Sequence, residues 1–385
     1  MLFFEHMFEP APELNAEQRQ AVRHGTAPLL VLAGAGTGKT ATLAARVGYL
    51  LAQGIQPERV CLLTFSRRAA AEMVARAGRL ADPGLAARVV GGTFHAVAQR
   101  LLHRHGHLIG LDPGFSLLDA ADSTELMGLV RHELGVAEGG GARFPRKETL
   151  AAILSQVANA QVRLSAVVAR SFPWCGEDLE GLRAVFAAYT TRKRGQQLCD
   201  FDDLLLLVRA LGALDLGRQL LAGLFDHVLV DEYQDVNALQ ADLVELLAPG
   251  GTGVTVVGDD AQAIYGFRAA TTAAILDFPN RYPGAVVIRL EHNYRSTQPI
   301  LAVANQVMAE APEGGSKALW SSGPGGAGRS FAPAPTRPPR RRPCATPCWP
   351  TVRWAWRSGR RRSSSAPATT PTCSSSPSAG AGSRT

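Results

Sequence analysis

A glycine-rich turn between an apolar segment and a helical one limits the possible folds of this sequence most strongly. Residues 29–40 read LLVLAGAGTGKT. The short apolar segment fits a buried strand, and the Ala- and Leu-rich residues that follow Lys39 fit a helix. Such a strand–loop–helix unit places backbone N–H groups and a helix N-terminus where they can surround a phosphate group. The unit predicts an α/β protein with a phosphate-binding loop.

Further apolar segments predict the rest of a parallel sheet with helices on both faces. The predicted strands are residues 29–33, 60–64, 89–91, 228–231, 254–258 and 286–290. Helical patterns lie between them, for example at residues 40–52 and 67–80. Between His95 and Leu198 we find no convincing strand, and this Ala- and Leu-rich stretch predicts an all-α inserted subdomain.

The charge of the chain is distributed unevenly. A net charge of +7 and a pI near 9.3 are typical of nucleic-acid-binding proteins. However, residues 316–385 contain eleven Arg, one Lys and no acidic residue, whereas residues 1–315 carry 28 basic and 33 acidic side chains, a net −5. The basic pI therefore describes the C-terminal segment and not the α/β part.

Two interpretations fit residues 316–385, which are rich in Pro, Arg and Ser without periodicity. One is a disordered basic tail. The other is a segment translated out of frame from a GC-rich gene, and the loss of every acidic residue favours it. No apolar run reaches the roughly 18 residues of a membrane span and no signal peptide is recognisable, so we expect a cytoplasmic protein without membrane partners.

The phosphate loop and a later acidic pair predict a nucleotide site. Lys39 is placed to reach the β- and γ-phosphates, and the Thr40 hydroxyl to bind Mg²⁺. The usual pattern has Gly where this chain has Ala33. After the apolar residues 228–230, Asp231 is expected to hold Mg²⁺, and Glu232 to orient and deprotonate the attacking water.

Several blocks in the same order extend this pattern along the chain. They read LNAEQ (14–18), TFSRRAAAEM (64–73), GTFHA (92–96), DFDDLL (200–205), DEYQD (231–235), VGDDAQAIYGFRAA (257–270) and LEHNYRST (290–297). With these blocks the chain resembles the UvrD/Rep/PcrA-type helicases of superfamily 1 over nearly all of residues 14–310. The resemblance implies a RecA-like P-loop NTPase fold, with ATP and Mg²⁺ as cofactors.

The resemblance also assigns roles around the nucleotide. It implies that Gln18 pairs with the adenine base, that Tyr294 stacks on it, and that Gln262 senses the γ-phosphate or the attacking water. Arg295 is similar to the arginine finger of the family. The predicted catalytic residues are Lys39, Glu232, Gln262 and Arg295, and the predicted nucleotide-binding residues are Gln18, Ala33, Gly34, Ala35, Gly36, Thr37, Gly38, Lys39, Thr40, Tyr294 and Arg295.

DNA contacts are expected from aromatic and polar residues at strand ends, which stack on bases without reading their sequence. The predicted residues are Thr64, Phe65, His95, Tyr265, Phe267 and Arg268. Core packing is the alternative for Phe65 and Tyr265. Besides Ala33, four positions depart from the family pattern. Ala41 stands where Arg is common and Phe267 where Trp is usual, and Ala261 and Ala263 replace an acid and a hydroxyl often found beside Gln262.

The resemblance divides the chain into five parts. They are residues 1–97 (first part of motor domain 1A), 98–198 (helical insertion similar to 1B), 199–284 (second part of 1A), 285–315 (start of a second motor domain similar to 2A) and 316–385 (the basic tail). No later motif of the family is recognisable after residue 310.

The expected function is that of an ATP-dependent 3′–5′ DNA helicase acting in repair or replication on single-stranded DNA and its junctions with duplex. Because the second motor domain is only begun, we expect the chain to be truncated and impaired. One alternative is a non-catalytic remnant that binds single-stranded DNA or a repair partner. Another is the helicase subunit of a helicase–nuclease complex, although no nuclease carboxylate cluster supports it. The sequence identifies no protein partner.

Overall fold

Six parallel strands form the central sheet of the protein. The computed structural model describes residues 14–136, 144–263, 273–310 and 317–322. The strands are β1 (Leu29–Ala33), β2 (Val60–Thr64), β3 (Val90–Thr93), β6 (His227–Val230), β7 (Val254–Gly258) and β8 (Val286–Leu290), with a separate two-residue pair, β4 (Ser116–Leu117) and β5 (Leu198–Cys199). The strand order in the central sheet is β3-β2-β6-β7-β1-β8. The predicted α/β fold with a parallel sheet is confirmed.

The alternation of side chains along each strand supplies a core on either face of the sheet. In β1, Leu30 and Leu32 pack in one buried cluster, whereas Leu29, Val31 and Ala33 pack in the other. A strand covered on both faces reads as a continuous apolar run. This is why the sequence predicts most of these strands to within a residue.

Helices cover both faces and begin at side chains that cap them. Ser66, Thr93 and Asn237 each accept a hydrogen bond from a backbone N–H of the first turn that follows. Among the described residues no helix is long and apolar enough to cross a membrane. The helices are α1 (Ala16–Arg23), α2 (Lys39–Ala52), α3 (Arg67–Leu80), α4 (Pro83–Ala86), α5 (Phe94–His105), α6 (Ala120–Glu133), α7 (Lys147–Ala160), α8 (Leu164–Ser171), α9 (Leu179–Gly195), α10 (Phe201–Ala213), α11 (Asp215–Ala222), α12 (Ala238–Leu247), α13 (Ala273–Leu276), α14 (Phe278–Arg281) and α15 (Gln298–Ala309).

The helical insertion has a hydrophobic core of its own. Side chains from α6 to α9, including Met127, Ile153 and Tyr189, form a buried cluster separate from the two sheet cores. The boundary predicted at residue 98 falls inside α5, whose Val97 and Leu102 pack in a sheet core. The independent packing of the insertion therefore begins at α6. The pair β4–β5 is the one strand pairing described within it, which the sequence does not predict.

The last strand joins the first sheet. β8 pairs in parallel with β1, with Val31 opposite Ile288, so the strand that the sequence assigns to a second motor domain extends the sheet of the phosphate loop. Residues 317–322, which the sequence groups with the basic tail, also contact this region. The backbone N–H of Trp320 donates to the carbonyl of Glu291 at 3.0 Å, and the backbone N–H of Asn293 donates to the carbonyl of Trp320 at 2.8 Å. The rest of the predicted tail lies outside the described residues.

Arg46 on α2 is a buried cation that ties α1 to the sheet. Its guanidinium donates to four backbone carbonyls at and just beyond the C-terminus of α1, at 2.7–3.2 Å, and to the Thr255 hydroxyl on β7 at 2.9 Å. Burial lowers the pKa of Arg46 to about 10, so the group stays charged at neutral pH. A cation at a helix C-terminus is favourable because the helix dipole is negative there.

We expect Arg46→Met to lower the free energy of unfolding by about 3 kcal/mol, because a buried polar group left without a partner costs about 1–3 kcal/mol. Urea unfolding followed by circular dichroism measures the change. The exposed Arg104→Met is the matched control, and we expect it to stay within about 0.5 kcal/mol of the parent. Equal stability of the two variants would contradict the role of Arg46.

Candidate nucleotide site

The carboxyl ends of β1, β2, β6 and β7 open into one cavity of about 720 Å³. Parallel pairing brings these ends to the same edge of the sheet, where ligands of open α/β sheets bind. The cavity is lined by Ala35, Gly36, Gly38, Lys39, Thr40, Ala41, Thr64, Phe65, Ser66, Ala69, Glu72, Arg76, Asp231, Glu232, Gln262, Tyr294 and Arg295. Residues from five separate sequence blocks therefore meet in one place.

The glycine-rich loop turns sharply between β1 and α2. Gly36 and Gly38 have φ angles of +82° and +88°, in the left-handed region that favours glycine. Thr37 closes the turn, with its hydroxyl donating to the carbonyl of Gly34 at 2.9 Å. The amide of Gln18 donates to the carbonyl of Thr37 at 2.9 Å. In this structure the side chain of Gln18 is thus held against the loop.

Lys39, the first residue of α2, points at the acidic end of β6. Its Nζ lies 3.3 Å from Oε2 of Glu232 and 4.0 Å from Oδ2 of Asp259. Glu232 has a positive φ of 51°, and its Oε2 also accepts a hydrogen bond from the Gln234 amide at 2.8 Å. The carboxylate of Glu232 is therefore oriented by two donors.

Asp231 carries a buried oxygen that lacks a hydrogen-bond partner in the described part of the chain. Among the described residues, Oδ1 of this side chain has no hydrogen-bond partner. Burial raises the pKa of Asp231 to about 6, the charge of Glu232 adds to the rise, and the charge of Lys39 opposes it. A buried carboxylate oxygen in need of a cation fits a Mg²⁺ ligand, since Mg²⁺ prefers oxygen donors. Thr40 lines the same cavity.

Gln262 follows β7 and is held by Asp259. Its Nε2 donates to Oδ2 of Asp259 at 2.5 Å. The backbone N–H of Asp259 donates in turn to Oε1 of Gln234 at 2.9 Å. The end of β7 is therefore connected to Glu232 through a single glutamine side chain.

The loop after β8 docks on the glycine-rich loop. Asn293 donates through Nδ2 to the carbonyl of Ala35 at 2.5 Å, and Tyr294 donates its N–H to the carbonyl of Gly36 at 2.9 Å. The Oδ1 atom of Asn293 accepts from the backbone N–H of Arg295 at 2.8 Å. Tyr294 and Arg295 have exposed side chains at the cavity, so the structure brings both to the predicted nucleotide site.

The family model described as "UvrD/REP helicase N-terminal domain" matches residues 14–283. The chain belongs to this family. It is 39% identical over 320 residues to the ATP-dependent DNA helicase UvrD1 of Mycobacterium tuberculosis, and 35% identical over 310 residues to the ATP-dependent DNA helicase PcrA of Bacillus subtilis. Each alignment covers 80% of this chain and 41% of the relative. The chain thus spans less than half the length of these relatives.

The predicted DNA-contacting residues divide into two groups. Thr64 and Phe65 line the cavity, and Phe65 is 38% exposed, with its ring centroid 5.8 Å from that of the buried Phe94. His95 is partly buried against Phe201, and burial lowers its pKa, which favours the neutral imidazole. Tyr265, Phe267 and Arg268 lie outside the described residues, and their roles stay predictions.

Sequence reasoning missed two side chains that organise the candidate nucleotide site. Asn293 fastens the loop after β8 to the glycine-rich loop, and Gln234 joins Glu232 to Asp259. Both lie inside blocks that carry the resemblance, LEHNYRST and DEYQD. Their position inside these blocks is the signal in the sequence that could have identified Asn293 and Gln234. Their structural roles depend on contacts between segments that are distant in sequence, which the blocks alone do not reveal.

The raised pKa of Asp231 predicts a pH effect on stability in buffer with EDTA. The native carboxyl binds its proton more tightly than the unfolded one, so its contribution to the free energy of unfolding falls as pH rises from about 4 to about 6, by about 3 kcal/mol. We expect Asp231→Asn to remove this fall. Urea unfolding at pH 4, 5, 6 and 7 measures the difference between variant and parent.

The exposed Asp215→Asn serves as the control and should follow the parent at every pH. Identical pH dependence in the parent and Asp231→Asn would show that Asp231 is not the buried group responsible.

Proposed function

We propose that this chain binds ATP in the cavity at the carboxyl edge of the sheet and hydrolyses it as part of a DNA helicase motor. The observation that carries the proposal is the meeting of Lys39, Glu232, Gln262 and Arg295 around one cavity. The two relatives named above are called ATP-dependent DNA helicases, which supports the same activity here.

The glycine-rich loop and α2 supply the phosphate contacts in this proposal. Backbone N–H groups of residues 34–38 and the N-terminus of α2 surround the β- and γ-phosphates, where the helix dipole favours negative charge. Lys39 moves from its pairing with Glu232 to the γ-phosphate when the nucleotide enters. Arg295 neutralises charge that develops on the transferred phosphoryl group.

Thr40 and Asp231 would hold Mg²⁺. The unsatisfied Oδ1 of Asp231 supports this assignment. When bound, the ion neutralises phosphate charge and keeps Asp231 ionised.

Glu232 is proposed to take the proton of the attacking water. Release of Lys39 to the phosphate leaves the carboxylate with its hydrogen bond from Gln234, which fixes its direction without neutralising its charge. The water then attacks the γ-phosphorus in line with the leaving oxygen. Gln262 lines the same cavity, and its amide is proposed to bond to that water or to a γ-phosphate oxygen.

Phe65 and His95 are proposed to stack on bases of single-stranded DNA. A partly exposed aromatic ring offers such a face to every base, so binding is independent of sequence. Strand β2 ends at Thr64, directly before Phe65, and β3 ends at Thr93, two residues before His95. Of the two aromatic residues, Phe65 lines the cavity. We propose 3′–5′ movement on single-stranded DNA and junctions, a cytoplasmic location and a role in repair or replication, in keeping with the resemblance.

The residue that separates a catalytic protein from a DNA-binding remnant is Glu232. We expect Glu232→Gln to lower the ATP turnover number by about 10²–10⁴-fold, the usual contribution of a general base. Binding of a fluorescent ATP analogue should stay within about threefold, because the amide keeps the shape of the side chain. Phosphate release and fluorescence titration measure the two quantities.

Glu58→Gln is the matched control, since Glu58 is exposed and pairs with Arg88. Turnover that is the same in parent, Glu232→Gln and Glu58→Gln would contradict catalysis at this site and favour the remnant. Retained nucleotide binding without any turnover in the parent would do the same.

A further inference from the structure

A lysine from beyond α15 lies against the carboxyl end of β7. The side chain of Lys317 is 6% exposed, and its ammonium donates hydrogen bonds to Oδ1 of Asp259 and to Oδ1 of Asp260. The two carboxylate side chains are 3% and 1% exposed. Buried charges of this kind are stable only when they are paired. Lys317 lies outside the region matched by the family model.

Backbone and side-chain hydrogen bonds hold the Lys317 segment in place. The N–H and carbonyl of Leu319 bond to the side chain of Asn305 on α15, at 3.0 and 2.8 Å. Trp320 pairs with the chain after β8, and its ring stacks on that of His292 with centroids 4.1 Å apart. The position of the Lys317 ammonium is therefore tied to the loop that carries Tyr294 and Arg295.

Asp259 connects Lys317 to the phosphate-binding lysine. Its Oδ1 accepts from Lys317, while its Oδ2 accepts from Gln262 and lies 4.0 Å from Nζ of Lys39. Four acidic side chains, those of Asp231, Glu232, Asp259 and Asp260, crowd this edge of the sheet. Without the positive charge of Lys317, the Asp259 carboxylate would attract Lys39 more strongly. It would also repel a phosphate group bound beside Lys39.

We propose that Lys317 is a positioning residue of the nucleotide site, which keeps Lys39 available for the γ-phosphate by neutralising Asp259. This rests on the proposed function, since it assumes that Lys39 binds phosphate. It means that the nucleotide site responds to the placement of the chain segment after α15, because the neutralising charge comes from that segment.

The test compares four proteins, each as the full chain: the parent, Lys317→Met, Asp259→Asn and the double variant. Binding of a fluorescent ATP analogue with Mg²⁺ is titrated for each. We expect Lys317→Met to weaken binding of the analogue about tenfold, because the unneutralised Asp259 carboxylate then competes for Lys39 and repels the phosphates. In the Asp259→Asn background the same substitution should change the affinity less than threefold, because Asp259, the partner of Lys317 that lies near Lys39, no longer carries a charge.

Thermal unfolding shows that each variant is folded. Lys317→Gln keeps a hydrogen-bond donor without the charge and takes the place of Lys317→Met if that variant does not fold. Lys147→Met, on the helical insertion, is the matched control and should bind like the parent.

The outcomes distinguish the proposed role of Lys317 from the proposed binding of ATP. Equal weakening by the Lys317 substitution in both backgrounds would indicate a merely structural role and overturn the inference, as would unchanged binding in Lys317→Met. Absence of binding in the parent would overturn the proposed function, and the inference with it. Tenfold weakening that Asp259→Asn relieves would support both.

Discussion

Parallel pairing of the strands is the constraint on which the rest of the site depends. All carboxyl ends of β1, β2, β6 and β7 reach one edge of the sheet, so the residues after each strand become neighbours regardless of their distance in sequence. The same geometry gathers acidic side chains, because the residues after β6 and β7 are Asp231 and Asp259. Such a cluster requires cations. Two lysines from opposite ends of the described chain, Lys39 and Lys317, provide them.

The charges at this edge are shared and not divided into separate pairs. Lys39 lies near both Glu232 and Asp259. The side chain of Gln234 joins those two residues, because its amide N–H donates to the Glu232 carboxylate and its amide oxygen accepts from the backbone N–H of Asp259. A change in one partner therefore alters the electrostatic surroundings of the others. In a nucleotide-binding protein this coupling is useful, because an entering phosphate exchanges partners with groups that are already held in place.

The sequence predicts most of the sheet well for a physical reason. Buried parallel strands must be apolar along their whole length, so segments such as 60–64 and 254–258 stand out without any tertiary information. The glycine-rich loop is equally visible, since its backbone angles require glycine at positions such as Gly36. Capping residues mark where helices begin. These signals are local.

What the sequence does not predict depends on contacts between distant segments. Composition groups Lys317 with a basic tail, whereas its contact with Asp259 is set by the pairing of Trp320 with the chain after β8. Motif resemblance assigns β8 to a second domain, whereas β8 pairs in parallel with β1 at one edge of the six-stranded sheet. Likewise, the boundary at residue 98 ignores the packing of α5.

The bare backbone of the glycine-rich loop has a second consequence. A Cβ at Gly36 would lie 2.7 Å from Cβ of Arg295, and one at Gly34 would lie 2.5 Å from the Leu319 side chain. The absence of side chains at these glycines thus makes room for the polypeptide that follows β8. An ATP-binding motif is usually explained by its ligand alone. In this protein the same glycines also form one half of an internal docking surface, so a larger residue at Gly34 or Gly36 would displace the segments that follow β8 whether or not a nucleotide is bound.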